Sequence, residues 1–281
     1  MIGPESTGAG APPLSKLPIM RVLITGAGRA IGAATATELS RRGHHVVATA
    51  RDASLLDDLD VAQRLALDVT DDASVDAALA VAGELDAIVN NAAVSGAGPL
   101  EDYPLDRLRA MFETNTLGML RLTQRVVPAW RARGSGVLVN VSSVQGRVSS
   151  PLEGAYSATK YALEALSETL HYELRHFGIR TVIIEPGYIA PGMKFAEKHA
   201  GPDLYGALWD QWQGTDAKVT GPSGRPGPEL VAVAIAEAID DPTTAMRVPV
   251  GADAEMILGT RRQLDDASFE AAMRQALDLT W

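Results

Sequence analysis

The sequence contains no cysteine, so disulfide bonds, thiol catalysis and zinc sites built on thiolates are excluded. It also has no excess of positive charge, because 25 lysine and arginine residues face 35 aspartate and glutamate residues, for a formal net charge of −10. This acidic balance argues against a nucleic-acid-binding surface and favours solubility. No apolar run approaches the roughly 20 residues that cross a bilayer, so no membrane contact is predicted.

The 281 residues, 46% of them hydrophobic and 21% charged, are ordinary for a globular protein with a full core. Residues 1–18 are rich in Gly, Pro, Ser and Ala and lack both the basic and the apolar region of a signal peptide. A disordered extension and a cytoplasmic location are therefore expected. Strand and helix patterns alternate through residues 19–281 without a repeat or linker, which predicts a single doubly wound α/β domain.

The ordered part opens with a strand, a glycine-rich turn and a helix. MRVLIT at 20–25 is a short apolar strand, and TGAGRAIG at 25–32 leads into the helix. This succession is typical of a dinucleotide-binding βαβ unit, although a glycine-rich turn alone is a weak signal. Gly26 permits the tight turn, and Gly28 and Gly32 leave room for a pyrophosphate at the helix N-terminus.

The second strand, at 44–50, ends where a dinucleotide-binding fold selects NAD or NADP. Ala50 and Arg51 stand there in place of an acid for the ribose hydroxyls, and Arg29 lies in the glycine turn on the same side. Two guanidinium groups suit a 2′-phosphate, so NADP(H) is the predicted cofactor. A pair of solvated arginines, with Asp52 neutralising Arg51, is the alternative.

The segment 139–163 carries the clearest chemical pattern. An apolar strand precedes a helix predicted over 155–177, on which Tyr156 and Lys160 share one face. A cation close to a phenol favours the phenolate and lowers its pKa, so that the tyrosine can serve as general acid and base. The YxxxK pair alone is common, and an ordinary helix surface is the alternative.

Several motifs together resemble the short-chain dehydrogenase/reductase family. TGAGRAIG is similar to the family's TGxxxGxG, NNAA at 90–93 to its NNAG, and PGYIAPG to its PGxxxT. Ser143 lies 13 residues before Tyr156, the interval between the family's active-site serine and tyrosine, and is favoured over its rival Ser142. The resemblance covers residues 20 to about 250 and holds these motifs in the family's order.

The resemblance implies a Rossmann fold with strand order 3-2-1-4-5-6-7 and an NADP-dependent reductase of ketones or dehydrogenase of secondary alcohols. Ser143 and Tyr156 would hydrogen-bond the substrate oxygen, and Lys160 would tune Tyr156 and bind the nicotinamide ribose. Asn115, within a long helix predicted over 104–133, would distort that helix and order a proton-relay water. The implied cofactor-binding residues are Gly26, Gly28, Arg29, Ala30, Ile31, Gly32, Ala50, Arg51, Asp68, Val69, Asn91, Ala92, Tyr156, Lys160, Pro186, Gly187 and Ile189. No metal is implied.

Three positions depart from the family pattern. Ala30 and Ala93 replace glycines, and Pro191 stands where threonine is usual. We expect crowding near the phosphates from Ala30 and the loss of one hydroxyl near the cofactor from Pro191. The resemblance places Asp68 and Val69 at the adenine, although a helix N-cap is nearly as good an interpretation of Asp68.

The region 191–228 is predicted to form a substrate lid, with a small satellite core as the alternative interpretation. Its apolar and aromatic side chains recur at helical spacing, at Leu204, Tyr205, Leu208, Trp209 and Trp212. The loop over 94–99 carries no charge. An apolar, cyclic or steroid-like ketone or alcohol is therefore the predicted substrate, with Lys194 and Lys198 as candidates for meeting an ionic one.

The predicted helices 104–133 and 155–177 are long, and the family buries such faces between subunits, which implies a homodimer or homotetramer. Two other functions remain open on the same scaffold. An epimerase or dehydratase of nucleotide sugars also uses Tyr and Lys, but the chain leaves little room for the larger domain that resembling proteins carry. A non-catalytic cofactor-sensing module is the other, and the intact catalytic set argues against it.

Overall fold

The computed structural model describes residues 18–191 and 203–281. The strands in these ranges form one parallel sheet of seven in the order 3-2-1-4-5-6-7, which confirms the predicted fold. The strands are β1 (Arg21–Ile24), β2 (His45–Ala50), β3 (Gln63–Ala66), β4 (Ala87–Asn90), β5 (Gly136–Val141), β6 (Ile179–Pro186) and β7 (Arg247–Val250).

Ten α-helices lie in the described ranges. They are α1 (Ala30–Arg41), α2 (Asp72–Ala82), α3 (Leu105–Phe112), α4 (Gly118–Arg133), α5 (Gly154–Arg175), α6 (Gly206–Trp212), α7 (Thr215–Thr220), α8 (Glu229–Asp240), α9 (Ala252–Gln263) and α10 (Asp266–Leu277). None of these described helices is both long and apolar enough to cross a membrane. Residues 1–17 of the predicted extension and 192–202 of the predicted lid, with Lys194 and Lys198, lie outside the described residues.

Helices cover both faces of the sheet. Successive side chains of a strand point to opposite faces, so Val22 and Leu23 of β1 enter two different cores. Val22 packs in a core with Leu39 of α1 and Ile235 of α8, whereas Leu23 packs in the other with Trp130 of α4. All five side chains are at most 1% exposed. Complete burial of a large apolar side chain contributes roughly 1.5–3 kcal/mol, so these two cores fix the sheet that carries the site.

The helix predicted over 104–133 is interrupted. It consists of α3, a π-helical turn over Glu113–Leu117, and α4. The turn contains Asn115, so the distortion that the family resemblance implied is present, while the prediction of one continuous helix is wrong. Single π-helical turns often mark functional sites because they redirect backbone groups.

The described part of the predicted lid contains α6 and α7. Leu208 of α6 is buried, whereas Leu204 is 66% exposed. The Tyr205 hydroxyl donates to Glu101 Oε1 at 2.8 Å, and the Tyr205 ring lies 5.9 Å from the Trp281 ring. This region therefore joins the loop after β4 to the C-terminal end of the chain.

Candidate active site

The turns after β1 and β4 are tied together at the carboxyl edge of the sheet, where ligands of parallel α/β folds bind. The Thr25 hydroxyl accepts hydrogen bonds from the backbone N–H groups of Asn91 and Ala92, both at 3.0 Å. Asn91 Nδ2 donates to the carbonyl oxygens of Thr25 at 2.9 Å and Gly26 at 3.1 Å. The predicted residues Asn91 and Ala92 thus border the glycine turn, and Thr25 is a contributor that the motifs did not single out.

The glycine turn is shaped to leave backbone donors facing the cleft. Gly26 has φ +67°, and a Cβ on Gly32 would lie 2.2 Å from the Gly26 carbonyl oxygen, so the turn requires glycine at both positions. Helix α1 begins at Ala30, and among the described residues no side chain caps its N-terminus. The N–H groups of a first helical turn lack partners within the helix and attract anions. This end of α1 therefore fits a pyrophosphate.

Ala30, which replaces a family glycine, has φ 45°. This left-handed region costs a residue with a Cβ about 1–2 kcal/mol. The departure that the sequence suggested would crowd the phosphates therefore also strains the backbone at the start of α1.

Arg29 and Arg51 are exposed, and neither side chain has a hydrogen bond or an ion pair with a residue of the described ranges. Asp52, the candidate for neutralising Arg51, forms hydrogen bonds with Ser54 instead. Its carboxylate accepts from the backbone N–H of Ser54 at 3.0 Å and from the Ser54 hydroxyl at 2.7 Å, and these bonds lower the pKa of Asp52. Both guanidinium groups are thus available to a phosphate.

Asp68 and Val69 follow β3 at the same edge. The Asp68 carboxylate accepts from the backbone N–H of Thr70 at 2.9 Å and from its hydroxyl at 2.8 Å, whereas Asp71 caps α2. Asp68 therefore lies in the N-cap region before α2, as the alternative interpretation had it, but the N-cap residue itself is Asp71. Val69 is buried, and its carbonyl oxygen accepts from Arg121 Nη1 at 2.7 Å, which fixes this loop against α4.

Ser143 stands directly after β5 with an extended backbone, and its hydroxyl lies close enough to the side chain of Tyr156 to favour the phenolate. The Ser143 Oγ also accepts from the backbone N–H of Gln145 at 3.2 Å. Ser142 is buried on the other side of the strand, and its Oγ has no partner among the described residues. The geometry therefore pairs Ser143, and not Ser142, with the tyrosine.

Tyr156 and Lys160 lie one turn apart on α5, as the spacing predicted. Lys160 Nζ donates to the Val141 carbonyl oxygen at 2.8 Å and lies 5.7 Å from the centre of the Tyr156 ring. The lysine is 2% exposed. Its charge is therefore held by the end of β5 and lies over the phenol ring.

The pKa of Tyr156 moves in the direction opposite to the one predicted from the spacing. Burial raises the pKa of Tyr156, the charge of Glu153 raises it further, and the Ser143 hydroxyl opposes both. Burial lowers the pKa of Lys160 to about 8, against the raising effect of Glu164. Loss of hydration disfavours the charged form of each group. For Tyr156, burial and the charge of Glu153 together outweigh the effect of Ser143.

Asn115 is 1% exposed and joins three elements. Its side chain forms two hydrogen bonds with the backbone of Val94, and its Nδ2 also donates to Thr159 Oγ1 at 3.0 Å. The Thr159 hydroxyl in turn donates to the Tyr156 carbonyl oxygen at 2.7 Å. The π-helical turn is thereby joined to the loop after β4 and to the helix that carries the tyrosine.

The Pro186–Gly187 loop is held by Asp253, which no motif pointed out. Asp253 is 4% exposed, and its Oδ2 accepts from the backbone N–H of Tyr188 at 2.7 Å. A Cβ on Gly187 would lie 2.1 Å from the same oxygen, so only glycine fits. Ile189 is buried beside this loop. The contact of Asp253 spans 65 residues of sequence, which explains why local patterns missed it.

Gln145, Glu153 and Ser157 form a second polar group that sequence reasoning missed. Ser157 Oγ donates to Gln145 Oε1 at 2.8 Å, and Gln145 Nε2 donates to Glu153 Oε2. The one available signal was an acid three residues before Tyr156 in a neutral, largely apolar stretch.

A pocket of about 440 Å³ lies beside the outer face of α5. Ala158, Tyr161 and Leu208 contribute to its walls, but Tyr156 does not. Residues 158 and 161 face away from 156 and 160 on a helix of 3.6 residues per turn. Among the described residues no group of three His, Cys, Asp or Glu side chains could hold a metal ion.

Comparison with known proteins gives consistent results. The family model described as short chain dehydrogenase matches residues 20–200. An uncharacterised oxidoreductase of Schizosaccharomyces pombe is 31% identical over 208 residues, which cover 73% of this chain and 87% of that protein. A crystal structure of a short-chain dehydrogenase from Streptomyces avermitilis has a TM-score of 0.77 and 35% identity, and the match covers 93% of this chain and 98% of that one. A short-chain dehydrogenase from Burkholderia cenocepacia in complex with NADP has a TM-score of 0.72 and 25% identity, covering 92% and 97% of the two chains.

Proposed function

The chain belongs to the short-chain dehydrogenase family, and we propose that it is an NADP-dependent oxidoreductase that interconverts a ketone and a secondary alcohol. The observation that carries this proposal is the contact of Tyr156 with Ser143, with Lys160 one turn away, at the edge of the sheet where the glycine turn lies. A proton donor and a hydroxyl that can bind the same substrate oxygen thus stand beside a cradle for a dinucleotide.

A nicotinamide cofactor fits the residues present. The first turn of α1 offers N–H groups to the pyrophosphate, and the backbone of the loop with Gly187 and Ile189 would meet the nicotinamide. Arg29 and Arg51 supply two unpaired charges for a 2′-phosphate, which favours NADP over NAD. A bound nicotinamide supplies or accepts the hydride, while this chain's side chains position the substrate and move the proton.

In the direction of ketone reduction, Tyr156 acts as the acid. Its raised pKa keeps the phenol protonated near neutral pH, so that it has a proton to give to the substrate oxygen. Ser143 donates a second hydrogen bond to that oxygen and stabilises the charge that develops there. Lys160 then stabilises the phenolate that remains, because an opposite charge nearby favours the ionised form. Asn115 is assigned the ordering of a relay water that returns the proton.

The substrate is an apolar or cyclic ketone, or the corresponding alcohol. The loop after β4 includes Gly96 and the buried Ala97, and residues 94–99 of this loop carry no charged side chain. A surface of this kind binds apolar substrates by excluding water, with a few polar groups fixing orientation.

The experiment is an assay of NADPH consumption with a panel of apolar ketones, cyclic ones included. We expect turnover in the wild-type protein and a loss of about 10²–10⁴-fold in Tyr156→Phe, with NADPH binding unchanged by fluorescence titration. Tyr161→Phe, on the opposite face of α5, is the matched control and should keep its activity.

The outcomes also separate the alternatives. A cofactor-sensing module would bind NADPH and consume none with any ketone. An epimerase or dehydratase would convert a nucleotide sugar without net consumption of the cofactor. More than about a tenth of the wild-type rate in Tyr156→Phe would contradict the role of this tyrosine.

A further inference from the structure

A buried hydrogen-bonded network joins the loop that carries Ser143 to the start of α5. The backbone N–H of Gln145 donates to Ser143 Oγ at 3.2 Å, and the Gln145 side chain accepts from Ser157 Oγ at 2.8 Å and donates to Glu153. Gln145 is 8% exposed and Glu153 is 7% exposed. The Gln145 amide therefore uses both of its polar atoms. Its oxygen binds Ser157 in the first turn of α5, and its nitrogen binds Glu153 at the N-cap.

Glu153 does not serve α5 as an ordinary cap. It occupies the N-cap position, yet within the described residues its side chain accepts no backbone N–H of the first turn. The carboxylate reaches Gln145 instead. Burying a carboxylate costs free energy unless it is paired or hydrogen-bonded. If this position served packing alone, an apolar residue would therefore be more stable here.

The surroundings of Glu153 connect it electrostatically to the catalytic tyrosine. The charge of Glu153 acts on Tyr156, which lies three residues further along the chain on α5, and disfavours the phenolate. Burial raises the pKa of Glu153, whereas the hydrogen bond from Gln145 and the charge of Arg225, in the segment before α8, favour its ionised form. Arg225 itself lies over the ring of Tyr188 at 5.4 Å, in the loop after β6. Glu153 therefore lies between Tyr156 and a cation from the segment that follows the lid.

We propose that Glu153 is a positioning residue for the reaction, acting through Gln145 to hold Ser143 where it can bind the same substrate oxygen as Tyr156. The charge of Glu153 has a second effect, since it keeps the proton on Tyr156 to higher pH. This inference rests on the proposed function, because both effects concern the transfer of a proton to the substrate oxygen.

The test is steady-state ketone reduction with NADPH as a function of pH in Glu153→Gln and Glu153→Ala. Glu153→Gln keeps the shape and hydrogen-bonding capacity of the side chain, so kcat near neutral pH should stay within about threefold of wild type. Because a negative charge near the phenol is removed, the pH at which the rate falls on the alkaline side should move down by about half a unit to one unit. Glu173→Gln, exposed at the far end of the same helix, changes the net charge equally and should leave the profile unchanged.

Glu153→Ala removes the contact with Gln145 as well as the charge. We expect kcat to fall about tenfold while KM for NADPH changes little, since only the alignment of Ser143 and Tyr156 is disturbed. Gln145→Ala should give a similar loss, and the double variant should lose no more than about the larger single effect, because both changes break the same network.

Two results would overturn the inference. One is a Gln145→Ala variant that keeps the wild-type kcat, which decides the matter even where Glu153→Ala fails to fold. The other is a double variant whose loss in kcat is the product of the two single losses. Either result in an active wild-type enzyme contradicts the role of Glu153 alone, whereas a wild-type protein that reduces no ketone contradicts the proposed function itself.

Discussion

Asn115 pairs with Val94 as one strand residue pairs with another: the Val94 N–H donates to Asn115 Oδ1 at 2.8 Å, and Asn115 Nδ2 donates to the Val94 carbonyl oxygen at 2.8 Å. The amide side chain thus satisfies both backbone groups of a residue in the loop after β4. The π-helical turn over Glu113–Leu117 gives the buried amide this position. The helix geometry and the loop position consequently depend on one another.

Asn115→Ala should destabilise the protein by about 1–3 kcal/mol, because it leaves the partly buried Val94 N–H and carbonyl groups without their partner. Urea unfolding measures this change. Thr114→Ala in the same turn is the control, since the hydroxyl of Thr114 makes only an exposed bond to the Ala110 carbonyl oxygen. An equal loss in both variants would show that Asn115 has no special part in the fold.

Ala50→Asp combined with Arg51→Gln should exchange the cofactor preference from NADPH to NADH. The double change removes a guanidinium from the 2′-phosphate, adds repulsion, and provides an acceptor for the ribose hydroxyls. A charge-assisted hydrogen bond contributes roughly 1.5–3 kcal/mol, and screening at this exposed position favours the lower value, so KM for NADPH should rise about tenfold or more.

Steady-state kinetics with both cofactors at equal concentration measure this exchange, and kcat should change less than KM. Arg175→Gln, exposed on α5, is the control for the loss of one positive charge. Equal use of NADH and NADPH by the wild-type protein would contradict the assignment to Arg29 and Arg51.

The sheet and its cofactor edge were predictable because their signals are local. Short apolar strands alternate with helices along the chain, and the glycine turn includes one close local contact, of Gly32 against Gly26. A right-handed crossover rule then leaves few ways to order the strands. Local pattern and global fold agree here, so sequence reasoning reached the observed strand order.

The parts that were missed depend on long-range contacts. The π-helical turn is stabilised by bonds from Asn115 to Val94, and helix propensity does not register such partners. The direction of the Tyr156 pKa depends on burial and on the charge of Glu153, neither of which follows from the spacing of Tyr156 and Lys160. Asp253 acts on the Pro186–Gly187 loop from a distant helix.

The protein should form a homodimer or homotetramer through the outer faces of α3 and α5. Leu105 is 61% exposed, Tyr161 42% and Tyr172 69%. Tyr161 and Tyr172 are eleven residues apart, close to three helical turns, and therefore share one face. Large apolar side chains gathered on one exposed face are typical of interaction surfaces.

Light scattering at micromolar concentration measures the assembly. Tyr172→Glu should shift it toward a smaller species, because a charge in the interface has no partner. Val81→Glu, at a side chain that is 59% exposed on α2, should leave it unchanged. A monomeric wild-type protein would contradict this proposal.

Ala30→Gly should stabilise the protein by about 0.5–1 kcal/mol. Ala30 has φ 45°, and glycine relieves the roughly 1–2 kcal/mol of left-handed strain while adding a smaller entropic cost in the unfolded chain. Ala33→Gly, inside α1, is a control of opposite sign and should destabilise by about 1 kcal/mol. Destabilisation in both variants would mean that Ala30 is unstrained.

Glu185 should make the stability of the protein fall as the pH rises. This β6 side chain is 0% exposed, and neither carboxyl oxygen has a hydrogen bond with a described residue. Arg247 Nε lies 3.8 Å from Glu185 Oε1, and its nearer partner is Glu164 at 3.0 Å. Burial, followed by the charge of Glu164, raises the pKa of Glu185 from 4.5 to about 7. The proton is thus held more tightly in the folded than in the unfolded protein.

A carboxyl group whose pKa is raised by folding contributes stability that is fully present below the unfolded pKa of 4.5 and is lost as the pH rises through about 7. The whole change is at most about 3 kcal/mol. Glu185→Gln carries no titrating proton, so its free energy of unfolding relative to wild type should increase between pH 5 and pH 8, as measured by urea unfolding. Glu270→Gln, at an exposed side chain of α10, should run parallel to wild type. Parallel curves for Glu185→Gln as well would mean that Glu185 is ionised throughout, with Arg247 providing its charge partner.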